Sequence, residues 1–220
     1  MMSLKVKIWT LLLLAACHQK ASSQSDILQM YIIASAKTGI YLNIDDFRNN
    51  TPLQLSRIKS EDGFANAKYL FSLKKGDEIV FHDRYGMQKR VSASEIWGYC
   101  TGEDIYVNAG IGYSKLEIIG SISYFIADVL VEEPTPTAMM SRGSSSFAAQ
   151  PRYTYERQAV LLDLSTGIML ESSPRNLEKI ITADSSLHSL YTGLRGKEQQ
   201  KQVIQVITDY NARNPFRFAE

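Results

Sequence analysis

Hydrophobic residues recur with a two-residue period over most of the first 170 positions, which indicates β-strands. The clearest case is the stretch 95–108, where aromatic and β-branched residues flank the polar sequence Thr101-Gly102-Glu103-Asp104. Because Gly102 can take a positive φ, this stretch predicts two strands joined by a tight turn. Other alternating or continuous apolar segments predict strands at 27–36, 53–58, 68–73, 78–82, 88–91, 115–119, 121–131, 153–164 and 168–170. A bulge is predicted at Gly120.

From residue 173 onward the apolar residues follow the 3.6-residue period of helices. Ser173 is a suitable N-cap, and Pro174 fits the first helical position. A further two-turn helix is predicted to follow Asn43 and to end before Pro52. The C-terminal stripes predict helices packed on the sheet, and their members are Leu177, Ile180, Ile181, then Leu187, Leu190, Tyr191, Leu194, then Val203, Val206, Ile207 and Tyr210.

Strands followed by helices predict an α+β fold. We expect a mostly antiparallel twisted sheet or partial barrel, with the C-terminal helices packed on it. Residues 132–152 are rich in Pro, Gly and Ser and hold few core-type residues, so they predict a flexible loop. The prediction is therefore one α+β domain over residues 27–220 that contains this loop.

The amino terminus has the layout of an export signal. Lys5 and Lys7 precede a short apolar run at 8–14, and Leu14-Ala15-Ala16-Cys17 resembles the lipobox of bacterial lipoprotein signal peptides. Residues 1–16 are thus predicted to be a signal peptide and 17–26 a tether, with Cys17 carrying a palmitate-type lipid. The alternative is an ordinary signal cut after Ala21-Ser22-Ser23, which would leave a secreted or periplasmic soluble protein.

Charge and cysteine content narrow the classes of function. The formal net charge is +1, and residues 1–16 hold two of the 24 basic residues and none of the 23 acidic ones, which leaves 22 against 23. A chain so close to neutral does not favour nucleic-acid binding. The chain has two cysteines, so Cys100 has no disulfide partner once Cys17 is lipidated or removed. We interpret Cys100 as a small buried hydrophobic residue.

Residues able to support catalysis are present but form no recognised motif. His82, Asp83, Ser92 and Ser94 supply the residue types of a Ser-His-Asp triad, without a nucleophile elbow. The acidic pair Glu103-Asp104 could serve glycoside hydrolysis only if another carboxylate faced it. No nucleotide-binding glycine loop occurs and the three His residues are far apart in the sequence, so neither a cofactor nor a catalytic metal is expected.

Aromatic residues of the predicted strands give a candidate binding surface. Trp97, Tyr99, Tyr106, Tyr113 and Tyr124 could form a platform for a glycan or a peptide, since such rings combine an apolar face with a polar group. The same residue types also pack across neighbouring strands. Both interpretations stay open at the level of the sequence.

Three segments carry a resemblance to a known type of protein. They are 39–42 with 46–52, the pair 96–99 with 105–108, and 210–215. In these segments the chain resembles uncharacterised exported lipoproteins of Bacteroidetes, a type with no established activity. The resemblance implies a cell-envelope location and a one-piece domain, and it assigns no catalytic residue. The sequence thus favours a lipid-anchored binding or structural protein on the periplasmic or outer-surface side, with an unknown protein or glycan partner. The alternative is a hydrolase acting on envelope or polysaccharide material near His82, Asp83 and Glu103.

Overall fold

The fold is seen in a computed structural model that describes residues 26–60, 63–133 and 152–219. The predicted signal peptide, Cys17, the tether up to residue 25 and positions 134–151 of the predicted loop lie outside the described residues. The strands are β1 (Gly39–Tyr41), β2 (Lys59–Ser60), β3 (Gly63–Phe64), β4 (Glu78–His82), β5 (Gln88–Ser92), β6 (Gly98–Cys100), β7 (Ile105–Ala109), β8 (Gly112–Ile118), β9 (Ile122–Glu132), β10 (Tyr153–Asp163) and β11 (Met169–Glu171). The helices are α1 (26–35), α2 (Ile44–Arg48), α3 (Ala67–Ser72), α4 (Pro174–Ile180), α5 (Ser185–Thr192) and α6 (Lys197–Arg213), with 3₁₀ turns at Leu55–Arg57 and Ile181–Ala183.

Seven strands form one sheet in the order β1-β6-β7-β8-β9-β10-β11, and every neighbouring pair is antiparallel. Among the described strands β1 and β11 form the two edges, so the sheet is open and is not a closed barrel. Two short hairpins, β2–β3 and β4–β5, lie outside it. The predicted α+β fold with a mostly antiparallel sheet is confirmed.

The two faces of the sheet pack against different elements. One face carries a single core along its whole width, which includes Cys100, Val107, Phe125 and Leu162 and is covered by α1, by α2 and by Phe216 and Phe218 near the C-terminus. The opposite face is divided into two cores. Tyr99 and Tyr106 pack with the β4–β5 hairpin and α3, whereas Ile122 and Leu161 pack with α4, α5 and α6.

Both registers of strand β9 are apolar because both faces of the strand are covered in its first half. Phe125 and Ala127 enter the first core, while Ile122 and Tyr124 face the C-terminal helices. The predicted coverage of both faces is therefore confirmed for this half of the strand. Val203, Val206, Ile207 and Tyr210 of α6 are buried against this same face, as the helical stripe predicted.

Local signals at helix starts also predicted the structure. Asn43 caps α2, since its side chain accepts a hydrogen bond from the backbone N of Asp46 at 2.9 Å. Ser173 caps α4, and Pro174 occupies its first turn. Gly102 takes φ +95° in the β6–β7 turn. These positions depend on contacts within a few residues, so sequence alone identifies them.

Four predicted local structures were wrong. Residues 26–35 are helical, because one side of this apolar run packs on the sheet while the other is exposed. The segment 68–73 is largely helix α3, capped by Asn66. Residues 53–58 form a 3₁₀ turn with isolated bridges at Leu53 and Ile58. The irregularity in the β8–β9 pairing lies between Leu116 and Ile118, ahead of Gly120.

None of the helices in the described part of the chain has both the length and the apolar character needed to cross a membrane.

Candidate functional site

A groove of about 940 Å³ lies beside the second core. It is formed by strand β2, helix α3 and the β4–β5 hairpin, which pack together at the second core. Its lining is mostly polar and consists of Lys59, Ser60, Asn66, Lys68, Tyr69, Ser72, Asp77, Glu78, Val80, Gln88 and Arg90. Ligand sites commonly have volumes of roughly 300–1,000 Å³, so the groove is large enough for a small molecule or a segment of a polymer.

Helix α3 forms one wall of the groove because of its cap and its apolar side. The Asn66 side chain accepts a hydrogen bond from the backbone N of Lys68 at 2.9 Å, which fixes the start of the helix at the edge of the groove. Leu70 is fully buried in the second core. The helix therefore presents Lys68, Tyr69 and Ser72 to the groove while its apolar side is anchored.

The opposite wall is the β4–β5 hairpin, whose register brings opposite charges together. Val80 lies opposite Arg90, and the Arg90 guanidinium contacts the Glu78 carboxylate at 3.1 Å. At the next position along the groove, Lys59 Nζ donates to Gln88 Oε1 at 2.7 Å. Both contacts are exposed, so they cost little to open when a ligand offers replacement hydrogen bonds.

The charges of the groove are mixed. Three of its lining side chains are basic and two are acidic. Burial raises the pKa of the Tyr69 hydroxyl, and the nearby charge of Asp77 adds to this effect. Tyr69 therefore remains a neutral donor and acceptor at physiological pH. Such a surface suits a ligand that has many hydrogen-bonding groups and little net charge.

Three of the four tyrosines of the predicted aromatic platform, Tyr99, Tyr106 and Tyr113, lie together in the second core beside this groove. The rings of Tyr99 and Tyr106 are stacked with centroids 4.9 Å apart, and Tyr113 meets Tyr99 edge to face at 5.2 Å. Tyr99 is 4% exposed, whereas Tyr106 and Tyr113 are half-buried. The Tyr113 hydroxyl donates to the backbone O of Ala93. These contacts give all three rings a packing role, and their role in binding stays a prediction.

Trp97 lies in a different core from the tyrosines. Its ring stacks on Phe47 at 4.5 Å and meets Tyr41 edge to face at 6.2 Å, so it belongs to the face covered by α1 and α2. Gly98 follows it at a point where a Cβ atom would lie 2.1 Å from the backbone O of Tyr106. The side chains of Trp97 and Tyr99 therefore lie on opposite faces of the sheet, although their two-residue spacing would place them on the same face of a regular strand. Tyr124, the fifth ring, packs near the C-terminal helices.

The residues of the sequence-level triad do not meet. His82 pairs with Gln88 at one end of the β4–β5 hairpin, while Ser92 lies opposite Glu78 at the other end. Four residues of strand separate them, which is roughly 13 Å. Ser92 and Ser94 form a hydrogen bond with each other at 2.7 Å between their Oγ atoms.

The nearby acids have structural partners. Asp83 Oδ1 accepts hydrogen bonds from the backbone N of Tyr85 and of Met87, so it shapes its own turn. Glu103 is exposed in the β6–β7 turn, and Asp104 pairs with Lys115 at 2.6 Å. Within residues 26–60, 63–133 and 152–219, no cluster of three or more His, Cys, Asp or Glu residues could hold a metal ion.

Cys100 is fully buried in the first core. Its Sγ atom lies 3.9 Å from the backbone O of Ala36 and accepts a hydrogen bond from the backbone N of Gly102. Burial raises the pKa of its thiol, which keeps it in the unreactive protonated form. Its interpretation as a buried hydrophobic residue agrees with this environment.

The segments that carry the resemblance have structural contacts. Arg48 donates from Nε to the O of Leu164 at 2.7 Å and from a terminal nitrogen to the O of Ser165 at 2.6 Å. Asn50 holds the end of α1, since its side chain donates to the O of Ser35 and accepts from the N of Lys37. These residues join α1, α2 and the β10–β11 turn. This part of the resemblance therefore involves residues that hold the fold together.

Sequence reasoning missed the groove. Its walls come from segments that are up to 31 positions apart and that meet only through the tertiary fold. The segment of α3 was predicted to be a strand. The one local signal was the N-cap residue Asn66, whose position before an apolar turn is typical of a helix start.

A profile of one protein family matches residues 39–214, and its description is a family of unknown function, DUF6563. The comparison with curated proteins gives no match. The comparison with solved structures gives none either.

Proposed function

The chain belongs to the DUF6563 family, whose function is unknown, and we propose a function for it. In this proposal the chain is a cell-envelope protein anchored by a lipid on Cys17. It binds an oligosaccharide in the groove between α3 and the β4–β5 hairpin. The anchor is supported by the sequence Leu14-Ala15-Ala16-Cys17 behind a basic and apolar leader. The binding role is supported by the groove itself, whose volume and polar lining suit a ligand.

The chemistry of the lining selects the ligand class. Asn66 and Gln88 offer amides, Asp77 and Glu78 offer carboxylates, and Arg90 offers a planar set of donors. Sugar hydroxyls both donate and accept, so they can use all of these groups at once. A strongly charged polymer of either sign would meet like charges in this mixed groove, and a purely apolar ligand would leave the polar groups without partners.

A titration followed by NMR tests the groove. The probes are an N-acetylglucosamine tetramer and a disaccharide-peptide fragment of peptidoglycan, added to the isotope-labelled chain. We expect chemical-shift changes confined to residues 59–60, 66–72 and 77–90. Shifts with the peptide-bearing fragment alone would instead favour a peptide ligand and contradict the oligosaccharide assignment.

A matched pair of variants makes the test specific. Arg90→Ala removes one charged donor of the groove, and Arg157→Ala removes an exposed arginine of β10 that pairs with Asp128 and does not line the groove. We expect Arg90→Ala to weaken binding at least about tenfold, because a charged hydrogen bond to the ligand is lost. Arg157→Ala should leave the affinity unchanged. Equal effects of both variants, or the absence of shifts with either probe, would reject the groove as a binding site.

The anchor has its own experiment. Cys17→Ala should release the protein from the membrane fraction of the producing cell, and the unchanged protein should carry the mass of an acyl group. If the variant stays with the membranes and the original protein shows no acyl mass, the anchor on Cys17 is wrong, whatever the groove binds.

A further inference from the structure

The outer side of α1 carries a line of exposed apolar side chains. Ile27, Met30 and Tyr31 are 66%, 69% and 61% exposed, and Ala34 is exposed one turn later. The spacing i, i+3, i+4, i+7 places these four residues on one side of the helix. We call them the α1 stripe. A continuous apolar line on a surface helix is typical of a contact surface.

The orientation of the α1 stripe is fixed by the opposite side of the helix. Ile32 is 2% exposed in the first core, and Ile33 packs against the same core. Gln29 donates from its side chain to the O of Glu117 and accepts from the N of Ile119. The helix is therefore held on the sheet by apolar and polar contacts, and it cannot turn its stripe inward without losing them.

The position of α1 in the chain indicates what the stripe contacts. If Cys17 carries the lipid, nine peptide units separate the anchor from Asp26 at the start of the described helix. Each unit extends the chain by about 3.4 Å, so α1 stays within roughly 30 Å of the membrane surface. Along the sequence, no other described element lies as near to Cys17.

The composition of the stripe fits that surface. Ile27 and Met30 offer apolar side chains that can enter the boundary of the acyl chains. Tyr31 has the amphipathic ring that is enriched at the interface between lipid and water. The opposite side of the helix remains on the protein, so only the outer side is free for this contact.

We propose that α1 lies on the membrane with Ile27, Met30 and Tyr31 in the interfacial layer, as a second attachment beside the lipid on Cys17. This inference rests on the proposed anchor. A lipid anchor limits the distance of a domain from the membrane, whereas a helix lying on the bilayer also fixes its orientation. The groove of the domain would then face a defined direction.

A fluorescent label at position 34 tests this inference. In the lipidated full chain carrying Ala34→Cys, Cys17 is blocked by lipid and Cys100 is fully buried, so the new thiol is labelled selectively. In vesicles of phosphatidylethanolamine and phosphatidylglycerol, an environment-sensitive label there should shift to shorter emission wavelengths and be quenched by spin-labelled lipids. A label at Leu190→Cys, an exposed position on α5, should keep its emission in water.

The contribution of the stripe is tested by adding Met30→Gln and Tyr31→Gln to the labelled protein. The two polar residues should abolish most of the quenching at position 34 while the acyl mass and the membrane association persist. Circular dichroism confirms that the variant is folded.

Two results would overturn the inference while leaving the anchor intact. One is a label at position 34 that is as exposed to water as the label at 190 in membrane-bound protein. The other is a label that is shielded from water but not reached by the quenching lipids, which would place a second protein surface on the stripe. Protein without acyl mass that is absent from the membrane fraction would instead contradict the proposed anchor, and the inference with it.

Discussion

The side-chain amide of Asn211 forms hydrogen bonds with both backbone groups of Ile122. Its Oδ1 accepts from the N of Ile122 and its Nδ2 donates to the O of Ile122, each at 2.8 Å. Asn211 lies on α6 and is 3% exposed. One side chain thus completes the hydrogen bonds of the first residue of β9 and sets the position of the helix on the sheet. Gly120 makes this approach possible, since a Cβ atom there would lie 2.3 Å from the Asn211 side chain.

Replacement of Asn211 by Ala should destabilise the protein, because it leaves the N and O of Ile122 buried without partners. We expect a loss of about 2 to 3 kcal/mol in the free energy of unfolding, measured by urea denaturation. Gln202→Ala, at an exposed position on the same helix, should change it by less than about 0.5 kcal/mol. Equal stabilities of the two variants would show that the amide contacts do not hold α6.

Arg48 should not be replaceable by Lys. Its guanidinium reaches the carbonyl groups of Leu164 and Ser165 together, and an ammonium group cannot reproduce this geometry. We expect Arg48→Lys to lower the free energy of unfolding by about 1 to 2 kcal/mol. Arg90→Lys is the matched control, because Arg90 forms an exposed ion pair whose contribution is small. If Arg48→Lys left the free energy of unfolding unchanged, the contact of Arg48 with the β10–β11 turn would not contribute to stability.

Gly98 should be intolerant of a side chain for a steric reason. A Cβ atom there would lie 2.1 Å from the backbone O of Tyr106 in the paired strand β7. Gly98→Ala must therefore shift β6 from β7, and we expect a loss of about 2 kcal/mol or more in thermal or urea unfolding. Gly76→Ala, which meets nothing within 4 Å, should be neutral or stabilising by up to about 1 kcal/mol. If Gly98→Ala matched Gly76→Ala, the close approach of β6 and β7 would be disproved.

What the sequence could predict follows from the range of the interactions involved. The caps at Asn43 and Ser173 and the turn at Gly102 depend on neighbours within a few positions, and all three were predicted correctly. The stripe of α6 was predicted because a helix buries one side at a regular period. The α+β class followed from the order of strand-like and helix-like segments.

What the sequence could not predict depends on distant contacts. The run 27–36 is apolar on nearly every position, so its period did not reveal that only one side is buried. Trp97 and Tyr99 share a register in the sequence, yet Trp97 lies just before β6 and the two side chains pack in different cores. The groove joins residues as far apart as Lys59 and Arg90, and no local pattern connects them.

The buried tyrosines predict a loss of stability at alkaline pH. Burial raises the pKa of Tyr99 from 10.0 to about 12, and it also raises the pKa of Tyr113 and of Tyr41. Since the folded protein binds these protons more tightly than the unfolded chain, the full stability is present below pH 10. It falls as the pH rises from about 10 toward 12, because the unfolded chain ionises first.

Urea unfolding at pH 9, 10, 11 and 12, with tyrosinate absorbance followed in parallel, measures this loss. Tyr99→Phe is the informative variant, because the Tyr99 hydroxyl forms no hydrogen bond with another described residue. The change therefore removes the ionisable group without removing such a bond. It should retain on the order of 2 kcal/mol more of its pH 9 stability at pH 12 than the original protein, since each unit of pKa shift corresponds to about 1.4 kcal/mol. Identical pH profiles for the two proteins would show that Tyr99 ionises as readily in the fold as in the unfolded chain, and that the ring is not shielded from water where the sheet meets the β4–β5 hairpin.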